Sequence, residues 1–128
     1  MGMMDRRGML LCGAVFAGTA VAAGAFGAHL LKPVLNAAML AAFETAVRYQ
    51  MYHALALCMI AWIGERDPTL RVGAVGWLFA TGIALFSGSL YVLSLSGIRW
   101  VGALTPLGGV AFIAGWTVLG WTVVRSRT

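Results

Sequence analysis

Residues 50–64 read QMYHALALCMIAWIG, and where the helix containing them begins decides how the chain crosses a membrane. The stretch is apolar from Ala54 onward but short, since a helix needs about 20 predominantly apolar residues to cover the hydrocarbon core of a bilayer. Extension backwards through ETAVRY supplies the missing turns. The second membrane helix is therefore expected to start near Phe43 or Thr45 and to tilt or enter the bilayer gradually. The preceding residues 34–47, VLNAAMLAAFETAV, are alanine-rich and carry one charge, Glu44, with Arg48 placed four residues later as an i,i+4 partner. They predict an amphipathic segment along the interface, ahead of the second span.

The flanking sequence fixes the other crossings. An apolar run from Gly8 to Leu31 follows Asp5, Arg6 and Arg7 and is long enough to span. A secretory signal peptide shares that outline of basic residues, apolar run and small residues around Val21, Ala22 and Ala23. The run continues through Phe26, however, and no polar mature domain follows. ERDPTLR, residues 65–71, is a charged turn in which Pro68 disfavours helix continuation. Val72 to Ser96 is uncharged throughout, SGIRW (96–100) forms a second turn, and the last apolar run extends from Val101 to Val124. Pro106 is tolerated in a first helical turn, with Thr105 as N-cap; a helix starting nearer Trp100 would instead be kinked at Pro106. The expected architecture is all-α: one polytopic membrane domain over residues 1–128, a four-transmembrane-helix bundle with spans near 9–31, 45–64, 72–95 and 101–124.

Composition agrees with that reading and excludes others. Of 128 residues 61% are hydrophobic and only 10% charged, against about 25% charged in soluble domains, and the mean hydropathy is +0.89. The net charge of +5 forms no basic patch, so nucleic acid is not an expected partner; the lipid bilayer is. Arg6, Arg7, Arg66, Arg71, Arg125 and Arg127 fall on one side of the four-span topology and Lys32, Arg48 and Arg99 on the other, which favours both termini in the cytoplasm. Cys12 and Cys58 lie inside apolar runs and read as packing residues. MLLCG lacks the small residue expected before a lipidated cysteine.

The same topology gathers the polar residues into one half of the bundle. His29, Glu44, Arg48, Tyr49, Gln50, His53, Ser87, Ser89, Tyr91 and Thr105 share it, whereas the other half is Ala, Leu, Val and Gly. Polar groups within a span are costly unless paired or hydrated, so the layer is a candidate site; its plain alternative is a set of structural hydrogen bonds and interfacial anchors. A histidine pair, His29 and His53, has the chemistry to ligate haem or a metal, but no further ligand cluster supports either, and no cofactor is expected. A proton or small-solute conduit centred on those histidines is the sharper rival, and it lacks polar residues to continue a path through the other half. No GxSxG, HExxH, P-loop, dinucleotide fingerprint or paired-carboxylate motif occurs, so no enzymatic activity is expected. Small residues at spacing four, Ala20, Gly24 and Ala28 in the first span and Gly76, Ala80, Ala84 and Gly88 in the third, predict close helix packing. The tryptophans read as packing or lipid-interface residues.

Taken together, GAFGAHLL, ETAVRYQMYHALAL, GIALFSGSLYVLSLSG and TPLGGVAFIAGW resemble the small membrane-protein family called domain of unknown function 423, to which the eukaryotic transmembrane protein 256 group is similar. The resemblance covers most of the chain. It implies a multi-pass integral protein of the bacterial inner or plasma membrane and carries no reaction or substrate. The family's recurrent positions fall here on residues that include Gly24, Ala28, His29, Tyr49, His53, Ser87, Gly88, Ser89, Tyr91, Thr105, Gly115 and Trp116. Glu44 departs from the pattern, standing where similar members often have an aromatic residue. The leading expectation is a structural or accessory protein that associates with itself or with a larger membrane complex through its small-residue stripes. The conduit is the alternative.

Overall fold

The computed structural model describes residues 2–126, so Arg127 of the expected charge pattern lies outside the described residues. Four helical rods account for most of these: α1 (Arg6–Leu31), α2 (Ala37–Arg66), α3 (Gly73–Ser96) and α4 (Arg99–Arg125). Their ends follow local chemistry. Asp5 caps α1 by accepting the Gly8 N–H at 2.8 Å, and Asn36 caps α2 by accepting the Met39 N–H at 2.8 Å. α3 ends at Gly97, whose φ of +74° is the left-handed conformation that glycine adopts without a Cβ clash. Short connections make successive rods antiparallel.

By length and composition α1, α3 and α4 are each apolar enough to cross a membrane. α2 is longer but more polar, and it occupies the centre of the bundle. Gly13 of α1 faces the Ala54 carbonyl and Cys58, and Gly27 faces Phe43, so α1 lies along α2 from end to end. On its other sides α2 meets Val72 just ahead of α3, Ser87 past the middle of α3, and Trp116 of α4. The polarity of the second helix is thus turned inward, while its exposed stripe, Tyr52, Leu55, Met59 and Trp62, repeats at helical spacing and is apolar or interfacial. The alanine-rich start precedes the polar residues of α2 without a break. It is the first turns of the same continuous helix, because Phe43 and Ala46 are buried against α1 and α3.

Two rods depart from α geometry. α1 closes with a π turn over Gly27–Leu31, and α3 contains a π turn over Ile83–Ser87. The second sits where α4 comes closest: a Cβ on Gly108 would lie 2.7 Å from the Phe86 Cα, so only glycine admits the α3 backbone there. Gly82 and Gly115 repeat the device on either side, against Phe112 and Phe79. α4 itself begins as a 3-10 helix over Arg99–Leu104 and becomes α-helical at Thr105, with Pro106 in the first α turn and Leu104 at the cap position. The expected N-cap role of Thr105 is therefore corrected. The chain is already helical before it, and its hydroxyl turns instead to α3.

The apolar core occupies the end of the bundle that carries the termini. Met9, Leu57, Ile60, Val75 and Phe79 are almost wholly buried there. Trp62, Trp77 and Trp121 ring that same end, with Arg66 over the Trp62 ring and the Trp77 indole N–H donating to the Gly2 carbonyl at 2.9 Å. Trp100 stands exposed at the opposite end. This is the arrangement of two interfacial aromatic belts.

Candidate functional site

The polar side chains of α2 lie between its neighbours, and Gln50 links three helices. Its amide nitrogen donates to the Phe16 carbonyl and to the Thr19 hydroxyl of α1, both at 2.8 Å, and its oxygen accepts the Tyr91 hydroxyl of α3 at 2.6 Å. The Phe43 ring sets its edge against Tyr91 with centroids 5.1 Å apart, which holds the phenol over Gln50. One turn from Gln50, the buried Ser87 donates to the Ala46 carbonyl at 2.7 Å. Ala46 is fully buried, and its small side chain lets the π turn of α3 approach this closely.

A second group ties α3 to α4. Ser89 donates to the Phe86 carbonyl at 3.0 Å, and a hydroxyl has a single hydrogen, so in the 2.6 Å contact between Ser89 and Thr105 the threonine is the donor. The chain Thr105 to Ser89 to Phe86 gives a partner to a carbonyl at the π turn.

His53 lies deeper, level with the middle of α4. Phe112 stacks on the imidazole at 3.6 Å between centroids and 9° between planes, and Phe79 meets it edge-on. The Trp116 indole nitrogen, which can only donate, lies 3.0 Å from Nε2, while Nδ1 lies 2.9 Å from the Tyr49 carbonyl. These partners determine the tautomer: Nε2 accepts, so Nδ1 carries the hydrogen and donates to Tyr49. The ring is neutral with both nitrogens engaged. A proton on Nε2 would set two N–H groups against each other, and a metal there would have to displace Trp116.

The other expected site residues are placed differently. His29 is exposed on the π turn that closes α1, and among the described residues no hydrogen bond or ring contact joins it to His53. Tyr49 is half exposed and packs its ring against Phe86 and Tyr52. The Glu44–Arg48 pair, 3.6 Å apart, is largely exposed, and such a pair contributes at most about 1 kcal/mol. Among the described residues no group of three or more His, Cys, Asp or Glu is disposed to hold a metal. Of the small-residue stripe in α3, Gly76 packs on Met9 of α1, Ala80 is half buried, and Ala84 and Gly88 face outward. Gly24 touches Val47, whereas Ala28 is exposed beside Glu44 and Arg48 in a shallow cleft.

Between α1 and α3 a groove of about 560 Å³ runs down to α2. Its walls include Ala22, Ala23, Ala84 and Gly88, and Gln50 and Tyr91 lie at its base with their hydrogens already donated. Two members of the hydrogen-bonded layer were not singled out for it from sequence. Thr19, the one hydroxyl in an otherwise apolar first span, is a signal that points to it. Trp116 carries none, because a membrane tryptophan reads first as an interfacial anchor.

Comparison with known proteins adds the lineage. A family profile described as Protein of unknown function (DUF423) matches residues 23–109. The chain is 50% identical over 110 residues to a UPF0382 membrane protein of Staphylococcus saprophyticus, covering 86% of this chain and 91% of that one. It is 46% identical over 117 residues to the UPF0382 membrane protein YwdK of Bacillus subtilis, covering 91% and 95%. Against the UPF0382 inner membrane protein YgdD of Escherichia coli K12 the identity is 39% over 124 residues, covering 97% and 95%. No solved structure matches the chain.

Proposed function

Since the chain belongs to the DUF423/UPF0382 family of small integral membrane proteins, we propose that it is a structural or accessory component acting by helix association, and neither a catalyst nor a conduit. One observation carries this reading: among the described residues every buried side-chain nitrogen and oxygen already has a hydrogen-bond partner within the chain. A layer of that kind locks helices together. Interhelical hydrogen bonds in membranes contribute about 0.6 kcal/mol each, up to about 1.7, so those of Gln50, Ser87 and Trp116 together hold α2 to its neighbours by a few kcal/mol, and that of Thr105 ties α4 to α3. A conduit needs groups that exchange protons or shed solutes. His53 is engaged at both nitrogens and His29 stands apart from it.

In this reading α2 is a fourth crossing. Its packed stretch from Phe43 to Gly64 is about 32 Å long at 1.5 Å per residue, close to the thickness of the hydrocarbon core. Arg6, Arg7, Arg66, Arg71 and Arg125 then share one surface, which supports cytoplasmic termini. The face for association is the groove between α1 and α3, where Ala22, Ala23, Ala84 and Gly88 leave room for one apolar transmembrane helix.

A photo-crosslinking residue at Ala84, compared with one at the lipid-facing Ile113 of α4, tests this in native membranes. Adducts above monomer from position 84 and not from 113 are expected. Monomer alone at both positions, under conditions that preserve known complexes, rules the association reading out. Proton or solute flux in liposomes that disappears in both His29→Ala and His53→Ala would replace it with the conduit.

A further inference from the structure

At the end of the bundle away from the termini, a cleft of about 220 Å³ lies between the last turns of α1 and the early turns of α2. Gly24, Gly27 and Ala28 form its floor, Phe43 and Val47 its apolar wall, and the charged groups lining it are Glu44 and Arg48. The floor is low because two of its residues have no side chain. α1 and α2 touch there through the Val47 methyl and the Phe43 ring, which leaves the α1 backbone open beside the ion pair.

Depth makes this pair unusual. α1 has 26 residues and is apolar enough to cross a membrane; at about 1.5 Å per residue it outruns a hydrocarbon core of about 30 Å, so its last turns lie at the rim of that core. Helical side chains tilt towards the helix N-terminus, and α2 begins at this surface, so Glu44 and Arg48 both lean towards the headgroups. Ionisable groups near hydrocarbon ordinarily face protein, whereas these two are 51% and 62% exposed. They stand 3.6 Å apart and, among the described residues, have no other partner. The carboxylate keeps free lone pairs and the guanidinium free N–H groups.

We propose that this cleft binds the headgroup of phosphatidylethanolamine, with the ammonium on Glu44 and the phosphate on Arg48. The argument is charge complementarity. The lipid carries a cation and an anion joined by a short ethylene link, and the i,i+4 pair presents their counter-charges side by side. The ammonium donates to the carboxylate, the guanidinium fork suits the phosphate, and the four charges close into a neutral ring at a depth where water is scarce. Phosphatidylglycerol fits poorly, because it brings a phosphate to Arg48 but no cation to Glu44, whose own charge repels it. Gly24, Gly27 and Ala28 leave the ethanolamine room beside α1. The site goes beyond the association reading and does not depend on it.

The test is native mass spectrometry of the full chain in detergent with equimolar phosphatidylethanolamine and phosphatidylglycerol. One phosphatidylethanolamine should be retained about fivefold in preference, and Glu44→Gln should bring the ratio of the two lipids close to one. Arg48→Gln should lower the retention of both, since both carry the phosphate. Glu65→Gln, at the other membrane surface, should change neither. Equal retention of the two lipids by the unaltered chain overturns the proposal, and so does a preference that survives in Glu44→Gln. Displacement of the lipid by millimolar phosphoethanolamine overturns it in favour of a soluble zwitterion. Both side chains of the pair are exposed, so neither substitution threatens the fold.

Discussion

Alanine at Gly108 and, separately, at Gly109 places the same methyl group on two adjacent positions of α4 that differ in what lies opposite. At Gly109 the nearest atom to the new Cβ is the Phe86 Cδ2 at 3.9 Å, an ordinary contact, so the substitution should be neutral or stabilising by up to about 1 kcal/mol. At Gly108 the Cβ would meet the Phe86 backbone, with Cα and Cβ each 2.7 Å away. That backbone cannot swing aside like a side chain. It belongs to the π turn fixed by the Ser87 bond to Ala46 and the Ser89 bond to Phe86, so the cost should reach the upper end of the overpacking range, about 3 kcal/mol. Gly115→Ala should fall between, because its obstacle at 2.6 Å is the Phe79 ring, a side chain, although a fully buried one. Unfolding in mixed micelles titrated with dodecyl sulfate and followed by tryptophan fluorescence ranks the variants. The expected gap between Gly108→Ala and Gly109→Ala is about two to three orders of magnitude in the unfolding equilibrium, at about 1.4 kcal/mol per order. A gap below about 0.5 kcal/mol would mean that α3 and α4 do not meet at the π turn.

The hydrogen-bonded layer gives two further outcomes. In a double-mutant cycle of Gln50→Leu and Tyr91→Phe, each single change leaves a partner unsatisfied and should cost about 1–2 kcal/mol, while the pair together should cost about 1 kcal/mol less than the sum; strict additivity would deny the bond between them. Nitrogen-15 spectroscopy of labelled His53 should show hydrogen on Nδ1 and none on Nε2 at neutral pH, and the reverse pattern would contradict the Trp116 contact.

Hydropathy alone made the apolar rods legible, since membrane length and loop charge are local properties. Antiparallel topology also fixes depth along each helix, which is why Gln50 and Tyr91, or Ser89 and Thr105, could be read as level with each other. Rotation about each axis could not be read. The stripe Gly76, Ala80, Ala84 and Gly88 assumes an unbroken 3.6-residue period, but the π turn over Ile83–Ser87 offsets the register by about one residue, or about 100°. Gly88 therefore leaves the face that Gly76 begins, and the close approaches to α4 fall to Gly82, Gly108 and Gly115. Whether a helix winds as α or π depends on what packs against it. For the same reason Trp116 gave no sign of bonding to His53, a contact between residues 63 positions apart. Thr105 illustrates the converse error: a capping residue by local pattern became a partner of Ser89 once the helix extended backwards as a 3-10 turn.

The central position of α2 has a consequence for biogenesis. As the least apolar rod, it gains the least from entering hydrocarbon by itself, and Gln50 and His53 would arrive there before Tyr91 and Trp116 had been synthesised. Thr19 and the Phe16 carbonyl of α1 are already present and can receive Gln50 at once, but His53 must wait for the final helix. With α2 read as a crossing, insertion and folding are not separable stages. The first hairpin enters as a provisional pair beside the insertion machinery, and the last helix to emerge completes the environment that makes the second one a membrane helix.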